Sequence, residues 1–194
     1  MDEVRLFIAI PCPPDLRQNL DQAIQTLRKQ LPYPAFRWVK ADSIHLTLKF
    51  FGETPAEKVP AMAEALARAT AGTPRFPMAA AGMGVFPNHR QPRVLWAALQ
   101  FPTRLLTLQE RIEEEMSQLG FPREKRPFSP HLTLARISNP APKELPLIAR
   151  TLPTLSLGIL GSFQVQQIHL IRSELRPEGA RYTTLSSADL DPIN

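Results

Sequence analysis

The sequence predicts an α+β protein built as two lobes, and three observations lead there. Helical and strand periods are mixed along the chain, without the strict strand–helix alternation of a parallel sheet. Several strand candidates neighbour one another at hairpin-like spacing. One tetrapeptide, His-Leu-Thr-Leu, occurs twice, at positions 45–48 and 131–134. The recurrence points to an internal duplication. The expected fold is bilobal, with two lobes related by an approximate two-fold axis. Each lobe carries an antiparallel sheet and flanking helices, and a cleft lies between them. At 194 residues, positions 1–194 suffice for one domain of two intertwined lobes, with a core that needs no staple.

Residues 4–10 read as a buried strand that Pro11 stops. Positions 15–31 carry Leu16, Leu20, Ala23, Ile24, Leu27 and Leu31 at helical spacing, and Pro32 ends the run. A short strand is expected at 37–39 and a strong one at 44–51, before Gly52. An alanine-rich helix is expected at 56–71, closed by Gly72. Strands at 76–86 and 93–100 follow, joined by the turn-like 87–92. Residues 102–119 are helical, with Gly120 just past the end. A strand is expected at 132–137 and a helix at 143–151, weakened by Pro146. Strands at 155–159, 163–173 and 181–186 complete the reading.

Composition narrows the classes. Hydrophobic residues are 43% and charged residues 21% of the chain, as in a soluble globular protein. No apolar run nears the roughly 18 residues that span a bilayer, and the start, Met1-Asp2-Glu3, is unlike a signal peptide. A cytoplasmic protein with no membrane partner is expected. The formal charge of +5 favours an anionic partner such as nucleic acid. The single cysteine, Cys12, excludes an intrachain disulfide and a multi-cysteine zinc site, and reads as a small, partly buried residue. No Gly-rich phosphate loop is present, so no nucleotide cofactor is indicated.

The repeated tetrapeptide carries the chemistry. On a strand, residues i and i+2 share a face, so His45 and Thr47 point one way and Leu46 and Leu48 the other. His131 and Thr133 repeat the arrangement. A lone histidine beside leucines is usually structural, but a repeated His-x-Thr pair is hard to obtain by accident. Two imidazoles can act as general base and general acid near neutral pH. Threonine hydroxyls can hold phosphoryl oxygens. Phosphodiester hydrolysis needs those functions, and two imidazoles give a bell-shaped pH profile with limbs between about 5 and 8. Lys49 lies in register with His45 and Thr47. Arg136, at i+5 from His131, falls on the opposite face of a regular strand unless the strand end turns it inward. Neither motif has a second ligand at metal spacing, so no metal is expected. Ser43 and Ser129 precede the two histidines by two residues, but no nucleophile elbow surrounds them. His89 sits in a proline-flanked turn, and His169 on an alternating strand whose polar face can approach the cleft.

At these residues the sequence resembles the two-histidine (2H) phosphoesterases, in the branch of bacterial RNA 2′,3′-cyclic phosphodiesterases also known as 2′-5′ RNA ligases. The matching text is Phe36-Arg37-Trp38-Val39-Lys40, Ile44 to Glu53, and Arg126 to Arg136. The opening Arg5 to Ile10 and the closing Leu170 to Ser173 with Gly179 to Tyr182 also match. The resemblance spans nearly the whole chain. It implies cofactor-free hydrolysis of an RNA 2′,3′-cyclic phosphate end to a 2′-phosphate, with reversible 2′-5′ ligation as a further activity. It implies His45 as proton donor, His131 as proton acceptor, and Thr47, Thr133 and Arg136 as substrate-binding residues. The expected partner is RNA with a cyclic phosphate end, and the expected state is a monomer. The alternatives are a phosphodiesterase for another cyclic or 2′-5′ linked nucleotide, and a non-catalytic RNA-binding module. Intact histidine and threonine in both motifs argue against the last.

Overall fold

A computed structural model describes residues 2–177 and 179–193. Among the described residues nine strands and four helices follow one another as β1 (Glu3–Pro11), α1 (Pro14–Gln30), β2 (Phe36–Trp38), β3 (His45–Pro55), α2 (Val59–Thr70), β4 (Phe76–Phe86), β5 (Val94–Gln100), α3 (Thr103–Gln118), β6 (His131–Ile137), α4 (Leu145–Thr151), β7 (Ile159–Val165), β8 (Gln167–Arg176) and β9 (Gly179–Asp189). They form two sheets, of order β3-β1-β8-β9 and β2-β6-β5-β4-β7, with antiparallel pairing throughout. The fold is α+β with two lobes, as the sequence predicts.

The two sheets repeat one plan. In the first, β1 leads through α1 to β3, which returns antiparallel beside it. In the second, β5 leads through α3 to β6 in the same way. The neighbouring strands continue the likeness, since β3-β1-β8 in one sheet matches β6-β5-β4 in the other. Each His-Leu-Thr-Leu segment opens the returning strand.

Helix α1 begins with Pro14 at its first position and Asp15 in its first turn, and ends with Arg28 and Lys29. This polarity complements the helix dipole. Its buried stripe, Leu16, Leu20, Ala23, Ile24 and Leu27, covers β7, where the Asn19 side-chain amide donates to the Leu160 carbonyl at 2.7 Å. Helices α2 and α3 pack together. Arg111 donates to the Arg68 and Ala71 carbonyls at the end of α2, and Lys58 Nζ to the Leu119 carbonyl at the end of α3. These cations satisfy carbonyls that helices leave open.

Three expectations change. Residues 155–158 are not strand; a 3-10 turn at Leu152–Thr154 precedes them, and the strand begins at Ile159. The expected strand at 163–173 is two strands in different sheets, so the chain crosses between lobes at Gln166. Two successive glutamines, Gln166 and Gln167, break the alternation there. The helix expected from 56 starts at Val59, after a 3-10 turn at Ala56–Lys58.

The motif strands carry a shared irregularity. In the β1–β3 pair, Ile8 faces Lys49 but Ala9 faces Thr47, leaving Leu48 unpaired. In the β5–β6 pair, Leu95 faces Ala135 but Trp96 faces Thr133, leaving Leu134 unpaired. Each is a β-bulge of one residue, and it reverses the facing of the residues after it. Leu48 and Lys49 are both buried, as are Leu134 and Ala135.

Candidate active site

The bulges decide which side chains join the histidines. A regular strand would turn Arg136 away from His131 and keep Lys49 beside His45. The extra residue does the reverse. Arg136 is exposed on the His131–Thr133 face. Lys49 points into the core, where Nζ meets Glu113 Oε2 at 2.6 Å and the Pro122 carbonyl at 2.9 Å. The position equivalent to Arg136 on β3 is occupied by Phe50, which is 53% exposed. The Arg5 guanidinium from β1 lies 4.8 Å from its ring centroid.

Both imidazoles are fixed by the same device. His45 Nδ1 lies 2.9 Å from the Ser43 carbonyl, and His131 Nδ1 lies 2.7 Å from the Ser129 carbonyl. A carbonyl can only accept, so each Nδ1 is the protonated nitrogen. In the neutral ring Nε2 is then left as acceptor, and in the charged ring as donor. The serines noted beside the histidines therefore act through their backbone. Thr47 and Thr133 are half-buried, two residues along from each ring.

Aromatic side chains back each histidine. Phe7 stacks on His45 at 4.6 Å with an interplanar angle of 22°, and Tyr182 meets it edge-on at 5.2 Å. Phe86 meets His131 edge-on at 5.1 Å, and Trp96 lies 6.2 Å from it. The Trp96 indole covers Gly84, where any Cβ would run into the ring. Sequence reasoning missed Phe7, Phe86, Trp96 and Tyr182 as supports. They lie on other strands, and only the pairing of the sheets brings them to the rings.

The packing around His45 has an electrostatic result. Burial pushes the His45 imidazole down to about 4, against the opposing pull of the Ser43 carbonyl. Burial also raises the Tyr182 hydroxyl, with the charges of Arg136 and Arg5 acting the other way. Strands β3 and β6 lie against each other. Tyr182 touches the His45 ring and feels the charge of Arg136 from the His131 strand. The structure thus brings groups from both motifs into one region.

The remaining candidates separate clearly. Cys12 is 6% exposed, and burial pushes its thiol up to about 12, which leaves no nucleophilic thiolate. His89 is exposed in its turn. His169 pairs with Ala9 on β1, itself opposite Thr47, so it shares the cleft face of its sheet. Among the described residues no group of three or more His, Cys, Asp or Glu side chains is placed to hold a metal ion, and no helix is long and apolar enough to cross a membrane.

Comparison with known proteins agrees with this geometry. The family model described as LigT like Phosphoesterase matches residues 10–96 and 99–182. The chain is 32% identical over 183 residues to the RNA 2′,3′-cyclic phosphodiesterase of Methanothermobacter thermautotrophicus, covering 94% of this chain and 97% of that protein. It is 34% identical over 196 residues to the protein of the same name from Thermus thermophilus, covering 96% and 90%. Among solved structures, TT0787 of Thermus thermophilus superposes with a TM-score of 0.82 at 31% identity, over 98% of this chain and 100% of that one. LigT of E. coli in its apo form gives 0.73 at 29% identity, over 98% and 99%. With two His-x-Thr strands held alike in two matching sheets, and a family match along most of its length, the chain belongs to the LigT-like 2H phosphoesterase family.

Proposed function

We propose that this protein is an RNA 2′,3′-cyclic phosphodiesterase that opens the terminal ring to a 2′-phosphate by general acid–base catalysis, without a metal or cofactor. The observation that carries the reading is the matched pair of imidazoles, each with Nδ1 bonded to the carbonyl two residues before it and Nε2 left for the substrate. The names of the relatives support the choice of substrate.

In this reading the cyclic phosphate lies between the two strands, held by the Thr47 and Thr133 hydroxyls and the Arg136 guanidinium. His131 Nε2 takes a proton from water as the water oxygen attacks phosphorus. The bond from phosphorus to O3′ breaks, and protonated His45 Nε2 gives its proton to the leaving O3′. The product is a 2′-phosphate with a free 3′-hydroxyl. The pair ends with its proton on His131, and exchange with solvent restores the starting state. A 5′-hydroxyl in place of water would yield a 2′-5′ linkage by the same transfers. The reading takes the chain as one domain, acting as a cytoplasmic monomer.

Assigning His45 as the acid sets a condition, because its burial favours the neutral ring. The phosphodiester anion supplies the opposing charge, since a nearby negative charge favours imidazolium. The expected pH profile reflects both effects. At low pH both rings are protonated and no base is available. The buried His45 ring of the free protein loses its proton at about 4, so one limb of kcat/KM for a cyclic mononucleotide lies there, below the range of ordinary imidazoles. At high pH both rings are neutral and the rate falls, and the limbs belong to the coupled pair. Because kcat reports the complex and kcat/KM the free protein, the rising limb of kcat should lie at higher pH. Measuring both profiles tests this. Absence of hydrolysis would overturn the function, and a kcat limb at or below that of kcat/KM would overturn His45 as the acid.

A further inference from the structure

Arg37 stands directly opposite Arg136 in the β2–β6 pair. Their neighbours, Phe36 with Ile137 and Trp38 with Ala135, turn toward the core, and both arginines are exposed on the other face. The bulge at Leu134 makes that the face of His131 and Thr133. Like charges directly opposite on antiparallel strands destabilise the pair. Among the described residues no carboxylate forms an ion pair with either guanidinium. An unrelieved cation pair beside an active face is suited to an anionic ligand.

The site is one-sided. On the first motif strand the equivalent position is Phe50, and the nearby Arg5 lies over that ring with Glu53 Oε1 3.8 Å away. On the cleft face, among the described residues, the second sheet thus carries two guanidiniums without an ion pair, while the first carries Arg5, which already has a partner. From Thr133 to Arg136 the strand advances roughly 7–10 Å, so Arg37, on the edge strand outside Arg136, reaches beyond the phosphate held at the threonines and Arg136. Guanidiniums suit phosphate because their fork of donors matches two of its oxygens.

We propose that Arg37, standing beside the Arg136 that assists the reacting phosphate, seats the phosphodiester one nucleotide upstream of the reacting end, and so makes the protein select the end of an RNA strand over a cyclic mononucleotide. The proposal rests on the phosphodiesterase reading only for which end of the RNA lies at the histidines. A mononucleotide has no upstream phosphate and cannot use the seat. Placement on one sheet alone would also fix the direction in which the strand leaves the cleft.

Binding tests this independently of turnover. The probes are a nucleoside 2′-monophosphate and a dinucleotide ending in a 2′-phosphate, titrated against the full chain and its Arg37→Gln and Arg37→Lys variants at several salt concentrations. Arg37→Gln should weaken the dinucleotide about tenfold, as for loss of a charge-assisted hydrogen bond, while the affinity ratio between the two probes falls by nearly the same factor. The salt slope for the dinucleotide should fall by about 1, and Arg37→Lys should recover part of the loss. The thermal midpoint of Arg37→Gln should be unchanged or raised, since like-charge repulsion is relieved. Equal losses on both probes, no loss, or a lowered midpoint would overturn the proposal. Because neither probe reacts, a protein that fails to hydrolyse cyclic ends would contradict the proposed function and leave this result standing.

Discussion

Replacing His45 or His131 by alanine should lower kcat about 10²-fold or more on a cyclic-phosphate substrate, with the far-ultraviolet circular dichroism unchanged. Each substitution removes one proton-transfer group, and such groups are typically worth about 10²–10⁴ in rate. The fold should survive because both rings lie on the cleft side of their strands, while Leu46, Leu48, Leu132 and Leu134 fill the core behind them. The double variant should lose less than the product of the two single losses, since the groups act in one step. Turnover near the wild-type rate in either single variant would remove the acid–base assignment.

The second large effect is on stability. Lys49 and Glu113 form a buried ion pair at 2.6 Å, each side chain only 5% exposed. Gln109 Nε2 donates to the same carboxylate at 3.2 Å, and the Glu124 backbone N–H donates to it at 3.1 Å. The pair ties the bulged end of the first motif strand to α3 and to the segment that leads into the second motif. Lys49→Met leaves the Glu113 carboxylate buried without its cation, and should cost about 3–5 kcal/mol. Lys49→Met with Glu113→Leu removes both charges and should be more stable than the single variant. Urea unfolding of the wild type, Lys49→Met, Glu113→Leu and the double variant measures this. A double variant as unstable as the sum of its parts would show that the pair does not act as a unit.

Two of the features that sequence misses follow from one extra residue beside each motif, Leu48 in β3 and Leu134 in β6. His45, Thr47, His131 and Thr133 were legible because a strand period of two needs only the local sequence. Arg136 and Lys49 were not, because a bulge is visible only in the pairing with β5 and β1. Counting by twos put each on the wrong face. The crossing at Gln166 left a local trace in the two successive glutamines that shift the alternation, but only the partners reveal that the two halves lie in different sheets. The sheets themselves were predictable, because the apolar stripes and turn residues that build them are local. The lowered pKa of His45 was not, since it arises from burial of the ring, and the Phe7 and Tyr182 rings packed against it lie 38 and 137 residues away in sequence.

In the proposed reaction two protein imidazoles, acting without a metal, open the ring toward the 2′-phosphate. Its most direct test is phosphorus NMR of the product from a dinucleotide carrying a 2′,3′-cyclic phosphate end, incubated with the protein in excess EDTA. The expected spectrum shows the cyclic phosphate signal replaced by a 2′-phosphomonoester at an undiminished rate. A 3′-phosphomonoester would contradict the roles given to His45 and His131, and loss of turnover that added metal restores would contradict the metal-free chemistry.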